Sequence, residues 1–244
     1  MWVALLASAV VVAGLVSVHR ASDPAPPGPG DPIPEIRLDA VESGVDQLRD
    51  WARPRARRFG IPERALTAYG YASVVMAKAQ PTCHLGWTTL AGIARVESDH
   101  ARFGGATIAP DGSVRPPIRG VPLNGTAGNA TILDPATRPG HPVYARAQGP
   151  FQFIPDTWTR WGVTAATPYA TLAPTLTSAE KAPTQTLSGN PDNIDDAALA
   201  AARYLCASGG DLATPAGWRR AVFAYNHSNS YVAQVRTAAR GFDA

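Results

Sequence analysis

Glycine and proline are unevenly distributed along this chain, and their distribution limits the folds open to it. The sequence has 244 residues, including 23 prolines and 22 glycines. From residue 99 to residue 148 one or the other recurs every few positions, so no helical period survives there. On both sides of that segment, apolar residues return at helical spacing. We therefore expect a mainly α fold with a long irregular Gly/Pro-rich insertion and a modest β contribution within it.

Start and stop signals divide the remaining sequence into helices. Gly60 is a typical helix terminator, Pro62 suits a first helical position, and Asn193 or Asp192 can cap a helix that Gly209 and Gly210 end. The stretch 164–192 reads as loop with short turns. The predicted helical segments are 39–58 (disturbed at Pro54), 62–79, 86–98, 155–161, 194–208, 215–225 and 230–239.

The first residues indicate export. Residues 2–18 carry no charge and are almost wholly apolar, so we expect residues 1–20 to be a signal peptide or a membrane anchor. Residues 21–37 are dense in proline and are typical of a semi-extended spacer that holds a domain off a membrane. The remaining chain, 38–244, would form one domain outside the cytoplasm, either anchored in the cell envelope or secreted.

Two cysteines, Cys83 and Cys206, agree with that location. In an oxidising compartment an even pair predicts one disulfide; two buried free thiols are the alternative. Neither CxxC nor HExxH occurs and the five histidines are scattered, so we expect no metal and no cofactor. The net charge of +3 suits an anionic polymer such as cell wall, and is too weak to indicate nucleic acid.

A carboxyl group stands where an apolar residue is expected. Leu90, Ile93 and Ala94 share one face of the predicted helix 86–98 with Glu97. Burial raises the pKa of a carboxyl, and an acid that stays protonated near neutral pH can act in general-acid catalysis. The alternative is that the helix has ended and that Glu97 faces solvent, as most glutamates do.

Three short strings combine aromatic and amide side chains with this acid. They are 95–100 (RVESDH), 148–158 (QGPFQFIPDTW) and 224–228 (AYNHS), which Tyr231 follows. Aromatic rings offer faces to sugar C–H surfaces, and amides donate and accept hydrogen bonds at once. The strings therefore favour carbohydrate as the ligand, although each one alone is often structural.

Together and in this order, the strings resemble the lytic murein transglycosylases of the lysozyme-like superfamily. Glu97-Ser98 matches the catalytic motif of that family. Residues 149–153 (GPFQF) resemble its Gly-x-x-Gln segment in the form found in the membrane-bound lytic transglycosylase B branch, and 224–226 (AYN) resembles its Ala-Tyr-Asn motif. Residues 193–197 resemble another segment of that branch, and the resemblance spans roughly 60–240.

The resemblance implies an α+β lysozyme-like fold with peptidoglycan glycan strands as the partner. Glu97 would be the single catalytic acid and then base, and the MurNAc–GlcNAc bond would be cleaved with formation of 1,6-anhydro-MurNAc. The implied substrate-binding residues are Ser98, Phe151, Gln152, Tyr225 and Asn226, where Phe151 would either wall the cleft or pack beneath it. The insertion would form part of the substrate cleft. The calcium-binding loop of the B branch is not carried over, because 187–193 lacks the DxDxDG ligand spacing.

A second carboxyl would indicate ordinary glycosidase chemistry. Asp99 is only two residues from Glu97 and would point away from it on a continuing helix, and Asp156 is best explained by the first turn of a helix. Three alternatives stay open: a hydrolase of goose-type lysozyme character, a non-catalytic peptidoglycan-binding protein, and an exported helical interaction module.

Overall fold

The computed structural model describes residues 23–40, 44–126, 130–178 and 187–243. Within these ranges the chain is mainly helical, which confirms the predicted class. The helices are α1 (Arg49–Phe59), α2 (Glu63–Ala79), α3 (Trp87–Ser98), α4 (Pro155–Trp161), α5 (Tyr169–Thr177), α6 (Ile194–Gly209), α7 (Pro215–Tyr225) and α8 (Asn229–Arg240). Two short strands, β1 (Thr107–Ile108) and β2 (Val114–Arg115), pair antiparallel with Thr107 opposite Arg115.

The core lies between the long helices. α2 packs against α6, α1 covers α2, and α6 also contacts α7. α3 packs along α8, so residues from the middle and from the end of the chain share one interface. This packing brings Glu97, near the end of α3, close to the start of α8, which directly follows the third string.

Most predicted boundaries are confirmed by the cap geometry. α1 ends before Gly60 as expected, but the predicted start near residue 39 is wrong, because the helix begins only at Arg49 after a 3₁₀ turn (Asp46–Leu48). α1 also continues through Pro54, where the sequence predicted a disturbance. Asn193 caps α6, because its side chain accepts hydrogen bonds from the backbone N–H groups of Asp195 and Asp196. The Thr214 side chain accepts from Gly217 in the same way and begins α7.

The predicted loop 164–192 is wrong in part, because it contains α5. Proline favours a loop, yet Pro168 directly precedes this helix and Pro174 lies within it. Leu172 and Leu176, one turn apart, are both fully buried. Tertiary packing of this leucine pair therefore outweighs the local signal, and the sequence offers too short an apolar stripe to predict it.

The proline-rich segment is not a spacer in this structure. Residues 23–40, which we call the N-terminal strap, lie against the helical domain. The Trp51 indole donates a hydrogen bond to the Pro32 carbonyl (2.9 Å), and the Trp87 indole donates to the Asp31 carbonyl (3.2 Å). Extended, proline-rich backbone leaves its carbonyls free to accept such bonds, which explains why it docks.

The predicted disulfide is confirmed. Cys83, in the 3₁₀ turn Pro81–Cys83, is bonded to Cys206 on α6. The bond links the turn that precedes α3 to the central helix of the domain across a sequence separation of 123 residues.

The described residues of the Gly/Pro-rich segment 99–148 fold back on themselves as an irregular ribbon. Backbone pairs join Leu133 to Tyr144 and Arg119 to Gln148, and the base of the ribbon is joined to the start of α6 through Ser113 and Asn193. The long segment is therefore anchored at several points and ends beside the second string.

No helix in the part of the chain that the structure describes is long and apolar enough to span a membrane. The predicted signal or anchor, residues 1–20, lies outside the described residues.

Candidate functional site

Glu97 lies in the last turn of α3, partly buried. The Tyr231 hydroxyl on α8 donates a 2.5 Å hydrogen bond to Glu97 Oε1. Burial raises the pKa of the Glu97 carboxyl to about 7, although the hydrogen bond from Tyr231 acts to lower it. Glu97 therefore titrates near neutral pH, in the range that suits a group that both donates and accepts a proton.

A strained turn follows the acid. Asp99, His100 and Ala101 all have positive φ angles, of 52°, 57° and 66°. Non-glycine residues pay about 1 kcal/mol or more each for this conformation, and such strain is concentrated at functional sites. The turn ends α3 directly after Ser98, so the Glu97 side chain lies at a helix end that faces open space.

The neighbouring Asp99 is held by arginines. It forms ion pairs with Arg95 and Arg102. Burial acts to raise the pKa of Asp99, but the hydrogen bond and charge of Arg102 and the charge of Arg95 outweigh it, so that the pKa lies below its usual value. Asp99 therefore stays ionised and paired at the pH at which the Glu97 carboxyl becomes protonated.

The second string forms a tight loop before α4. Gln148 and Phe153 exchange both backbone hydrogen bonds. Gly149 has a φ of 69°, and a Cβ there would lie 1.8 Å from the Pro191 carbonyl oxygen, so no side chain fits. Gln152 also has a positive φ (50°), and its side-chain amide Nε2 donates a hydrogen bond to the Gly149 carbonyl at 2.8 Å.

Direct hydrogen bonds join the three strings. The Ser98 hydroxyl donates to the Pro150 carbonyl (2.7 Å), and the Tyr225 hydroxyl donates to the Phe151 carbonyl (2.7 Å). Tyr225 and Tyr231 have parallel rings with centroids 6.5 Å apart. Residues that are far apart in sequence therefore form one cluster around the Glu97 carboxyl.

Two cavities adjoin this cluster and share Gln152. The first, of about 350 Å³, is lined by Glu97, Phe103, Arg119, Gly120, Val121, Arg146 and Gln152. The second, of about 230 Å³, is lined by Gln152, Phe153, Ile154, Thr157, Tyr204, Ala224, Tyr225 and His227. We call them the acid cavity and the aromatic cavity. Among the described residues that line the acid cavity, Glu97 carries the only carboxylate.

The predicted substrate-binding residues separate into two groups. Gln152 lines both cavities and Tyr225 lines the aromatic cavity. Ser98 is 2% exposed and Phe151 is fully buried, so neither can contact a ligand in this structure. Phe151 therefore packs in the core instead of walling the cleft, and Ser98 supports the loop through its hydrogen bond to the Pro150 carbonyl. Asn226 is exposed just beyond α7 and is not among the described residues that line either cavity.

The sequence did not single out several residues of the acid cavity. Tyr231 was noted only as the residue that follows the third string, although it is the hydrogen-bond partner of Glu97. Phe103, Arg119 and Arg146 come from the irregular segment, where no period indicates which side chains point inward. For Phe103, the available signal in the sequence was an aromatic side chain shortly after Glu97.

Comparisons of this chain with protein-family models, with curated proteins and with solved structures find no match.

Proposed function

We propose that this chain is an exported peptidoglycan lytic transglycosylase with the α+β lysozyme-like fold that its motifs imply. The observation that carries the proposal is the Glu97 carboxyl, which has a pKa of about 7, accepts a hydrogen bond from Tyr231 and lines a cavity with Gln152. The disulfide supports an oxidising, extracytoplasmic location. The insertion would supply one wall of the substrate cleft, since it contributes Arg119, Val121 and Arg146 to the acid cavity.

The proposed reaction uses one acid twice. Protonated Glu97 donates its proton to the glycosidic oxygen between MurNAc and GlcNAc, and the C1–O bond breaks. The MurNAc C6 hydroxyl then attacks C1, and the Glu97 carboxylate takes the hydroxyl proton. The products are a 1,6-anhydro-MurNAc end and a GlcNAc with a free 4-hydroxyl, and no water is consumed. A group with a pKa near neutrality serves both steps.

The other cluster residues orient these partners. Tyr231 fixes the Glu97 carboxyl, and Gln152, located between the two cavities, is placed to hydrogen-bond sugar hydroxyl or N-acetyl groups on either side. Ser98 and Tyr225 hold the loop that carries Gln152 by bonding to its carbonyls. Glu97 carries the only carboxylate among the described residues that line the acid cavity, which supports this one-acid route over a two-carboxylate hydrolysis.

The test is the chemistry of the products. Purified peptidoglycan incubated with the protein should release anhydro-muropeptides, each lighter by one water than the reducing-end product of hydrolysis in mass spectrometry. Glu97→Gln should lower the rate by at least about 100-fold, since general-acid catalysis contributes roughly 10²–10⁴-fold. Glu35→Gln, which changes an exposed glutamate on the strap, is the matched control and should keep full activity.

The outcomes separate the rival functions. Reducing-end products would indicate the goose-type lysozyme-like hydrolase. Glycan binding without any product would indicate a non-catalytic peptidoglycan-binding protein. Full activity of Glu97→Gln would contradict the assigned role of Glu97.

A further inference from the structure

The described lining of the acid cavity includes two exposed apolar side chains. Phe103 and Val121 are 64% and 63% exposed, unusually high values for large apolar side chains, and both line this cavity with Glu97. Because both side chains line the same cavity, a bound ligand would cover this apolar surface. Phe103 follows the strained turn at Asp99–Ala101, so the same backbone that ends α3 also presents this ring.

Two arginines complete the cavity, and they differ in their partners. Arg119 donates to both carboxylate oxygens of Asp192, at 2.6 and 2.7 Å, so its charge is compensated. Arg146 donates through Nη1 to the Gly120 carbonyl at 2.9 Å and, among the described residues, has no carboxylate partner. Arg146 is exposed. Among the described residues that line the acid cavity, it therefore carries a positive charge that no carboxylate compensates.

The aromatic cavity differs in charge. Its described lining combines the rings of Phe153, Tyr204, Tyr225 and His227 with Gln152, Ile154, Thr157 and Ala224, and none of these is lysine or arginine. The two cavities on either side of Gln152 therefore suit different sugars. The acid cavity offers an aromatic ring and a cation, and the aromatic cavity offers several rings and neutral polar groups.

We propose that Phe103 and Arg146 form a specificity site for a sugar that carries a carboxylate, with the sugar ring on Phe103 and the carboxylate on Arg146. The inference rests on the proposed function and deepens it, because it places the acidic sugar of the glycan in the acid cavity and the neutral sugar in the aromatic cavity. An aromatic face packs against the C–H surface of a sugar ring, and a guanidinium forms strong charge-assisted hydrogen bonds with carboxylates.

The carboxylate can have two sources. In peptide-free glycan it is the carboxylate of the lactyl arm, and in peptide-bearing glycan that group is an amide and the charge lies on the peptide. Both attach to the same sugar, and Arg146 would bind either. Glycan strands with and without peptides distinguish the two sources.

Binding is best measured in the Glu97→Gln background, where turnover does not interfere. Three ligands are compared by calorimetry: peptide-free glycan strands, peptide-bearing strands, and chitooligosaccharides of the same length, which lack carboxylates. Arg146→Gln should weaken binding of at least one of the two acidic strands by about tenfold, the usual effect of one hydrogen bond to a charged group. It should leave chitooligosaccharide binding unchanged. Phe103→Ala should weaken all three.

Matched controls come from the same insertion. Arg138→Gln and Leu133→Ala change an exposed arginine and an exposed apolar residue outside the described lining of both cavities, and neither should alter binding. Circular dichroism of each variant checks that the fold is kept.

The results also distinguish this inference from the proposed function. The specificity site would be overturned if adding Arg146→Gln to the Glu97→Gln protein left its affinity for both acidic strands unchanged. Release of anhydro products by the unmodified protein would still support the proposed function in that case. Loss of acidic-strand affinity in Arg146→Gln would support the site even if the unmodified protein released reducing ends or no products.

Discussion

At the scale of single residues, the pair Glu97–Tyr231 sets the pH range of the proposed reaction. The Glu97 pKa of about 7 results from burial, which raises it, and from the Tyr231 hydrogen bond, which lowers it. Because the acid must be protonated to donate, kcat/KM should fall as the pH rises above about 7.

Tyr231→Phe should move that alkaline limb to higher pH. The hydroxyl stabilises the charged carboxylate, so its loss lets burial raise the Glu97 pKa further. One hydrogen bond of about 1 kcal/mol corresponds to a shift of roughly 0.5–1 pH unit. The measurement is the pH profile of kcat/KM with peptidoglycan as substrate.

Tyr225→Phe is the matched control. Its hydroxyl bonds to the Phe151 carbonyl instead of the acid, so the limb should stay in place even if the rate falls. A limb that does not move in Tyr231→Phe, or that moves to lower pH, would show that the tyrosine does not tune Glu97.

The sequence predicted the acid but not its partner. Leu90, Ile93 and Ala94 are fully buried, so the apolar stripe that ends on Glu97 is present as predicted. Tyr231 is 134 residues away, and only the packing of α3 along α8 brings it to the carboxyl. Local periodicity indicates which face of a helix turns inward, but it carries no information about which distant residue that face meets.

The same reasoning applies to Ser98 and Phe151. A motif shows that residues occur together, but it does not show which of them contact a ligand and which pack behind the site. Ser98 and Phe151 are adjacent to Glu97 and Gln152 in sequence, but adjacent residues on a turn point in different directions.

At the scale of secondary-structure elements, the contact between α3 and α8 depends on Gly92. A Cβ at this position would lie 2.9 Å from the Ala239 Cβ and 2.9 Å from the Val235 carbonyl oxygen, both on α8. The missing side chain therefore lets the two helices approach closely, which in turn sets the distance between Glu97 and Tyr231.

Gly92→Ala should destabilise the protein, although alanine is the better helix former by about 1 kcal/mol. The added methyl group meets backbone, which cannot move aside without shifting α8, and overpacking of this kind costs about 1–3 kcal/mol. The free energy of unfolding, measured with denaturant, should fall accordingly.

A double-mutant cycle tests whether the effect reaches the site. If Gly92→Ala separates α3 from α8, Tyr231→Phe should shift the alkaline limb less in the Gly92→Ala background than in the unmodified protein. An unchanged or higher free energy of unfolding in Gly92→Ala would contradict the close approach.

At the scale of the whole molecule, the helices were easier to predict from the sequence than the positions of the strap and the insertion. The predicted bounds of α3, α4, α6, α7 and α8 agree with the structure within about two residues. Of these helices, α6, α7 and α8 also have side-chain N-caps. The strap and the insertion lack periodic apolar stripes. Their positions depend on hydrogen bonds to distant elements, such as the bonds from Trp51 and Trp87 to strap carbonyls.

The strap also connects the two ends of the domain. The Asp243 carboxylate accepts hydrogen bonds from the backbone N–H groups of Gly28 (2.9 Å) and Gly30 (3.3 Å). The Thr88 hydroxyl at the start of α3 donates to the Gly28 carbonyl. The strap thus stabilises the helix that carries Glu97, a role that a flexible spacer could not have.

This difference can be measured with two truncated chains that both lack the N-terminal apolar residues. A chain that begins at residue 38 should be less stable by about 2–5 kcal/mol than one that begins at residue 23, because several hydrogen bonds of about 0.5–1.5 kcal/mol each and the cover over Trp51 and Trp87 are lost. Asp243→Ala in the longer chain should lose a smaller part of that stability, and should leave the shorter chain unchanged because its bonding partners are already absent. Equal unfolding midpoints for the two truncated chains would support the original interpretation of this segment as a spacer. A segment that only separates a domain from a membrane contributes nothing to the free energy of unfolding of that domain.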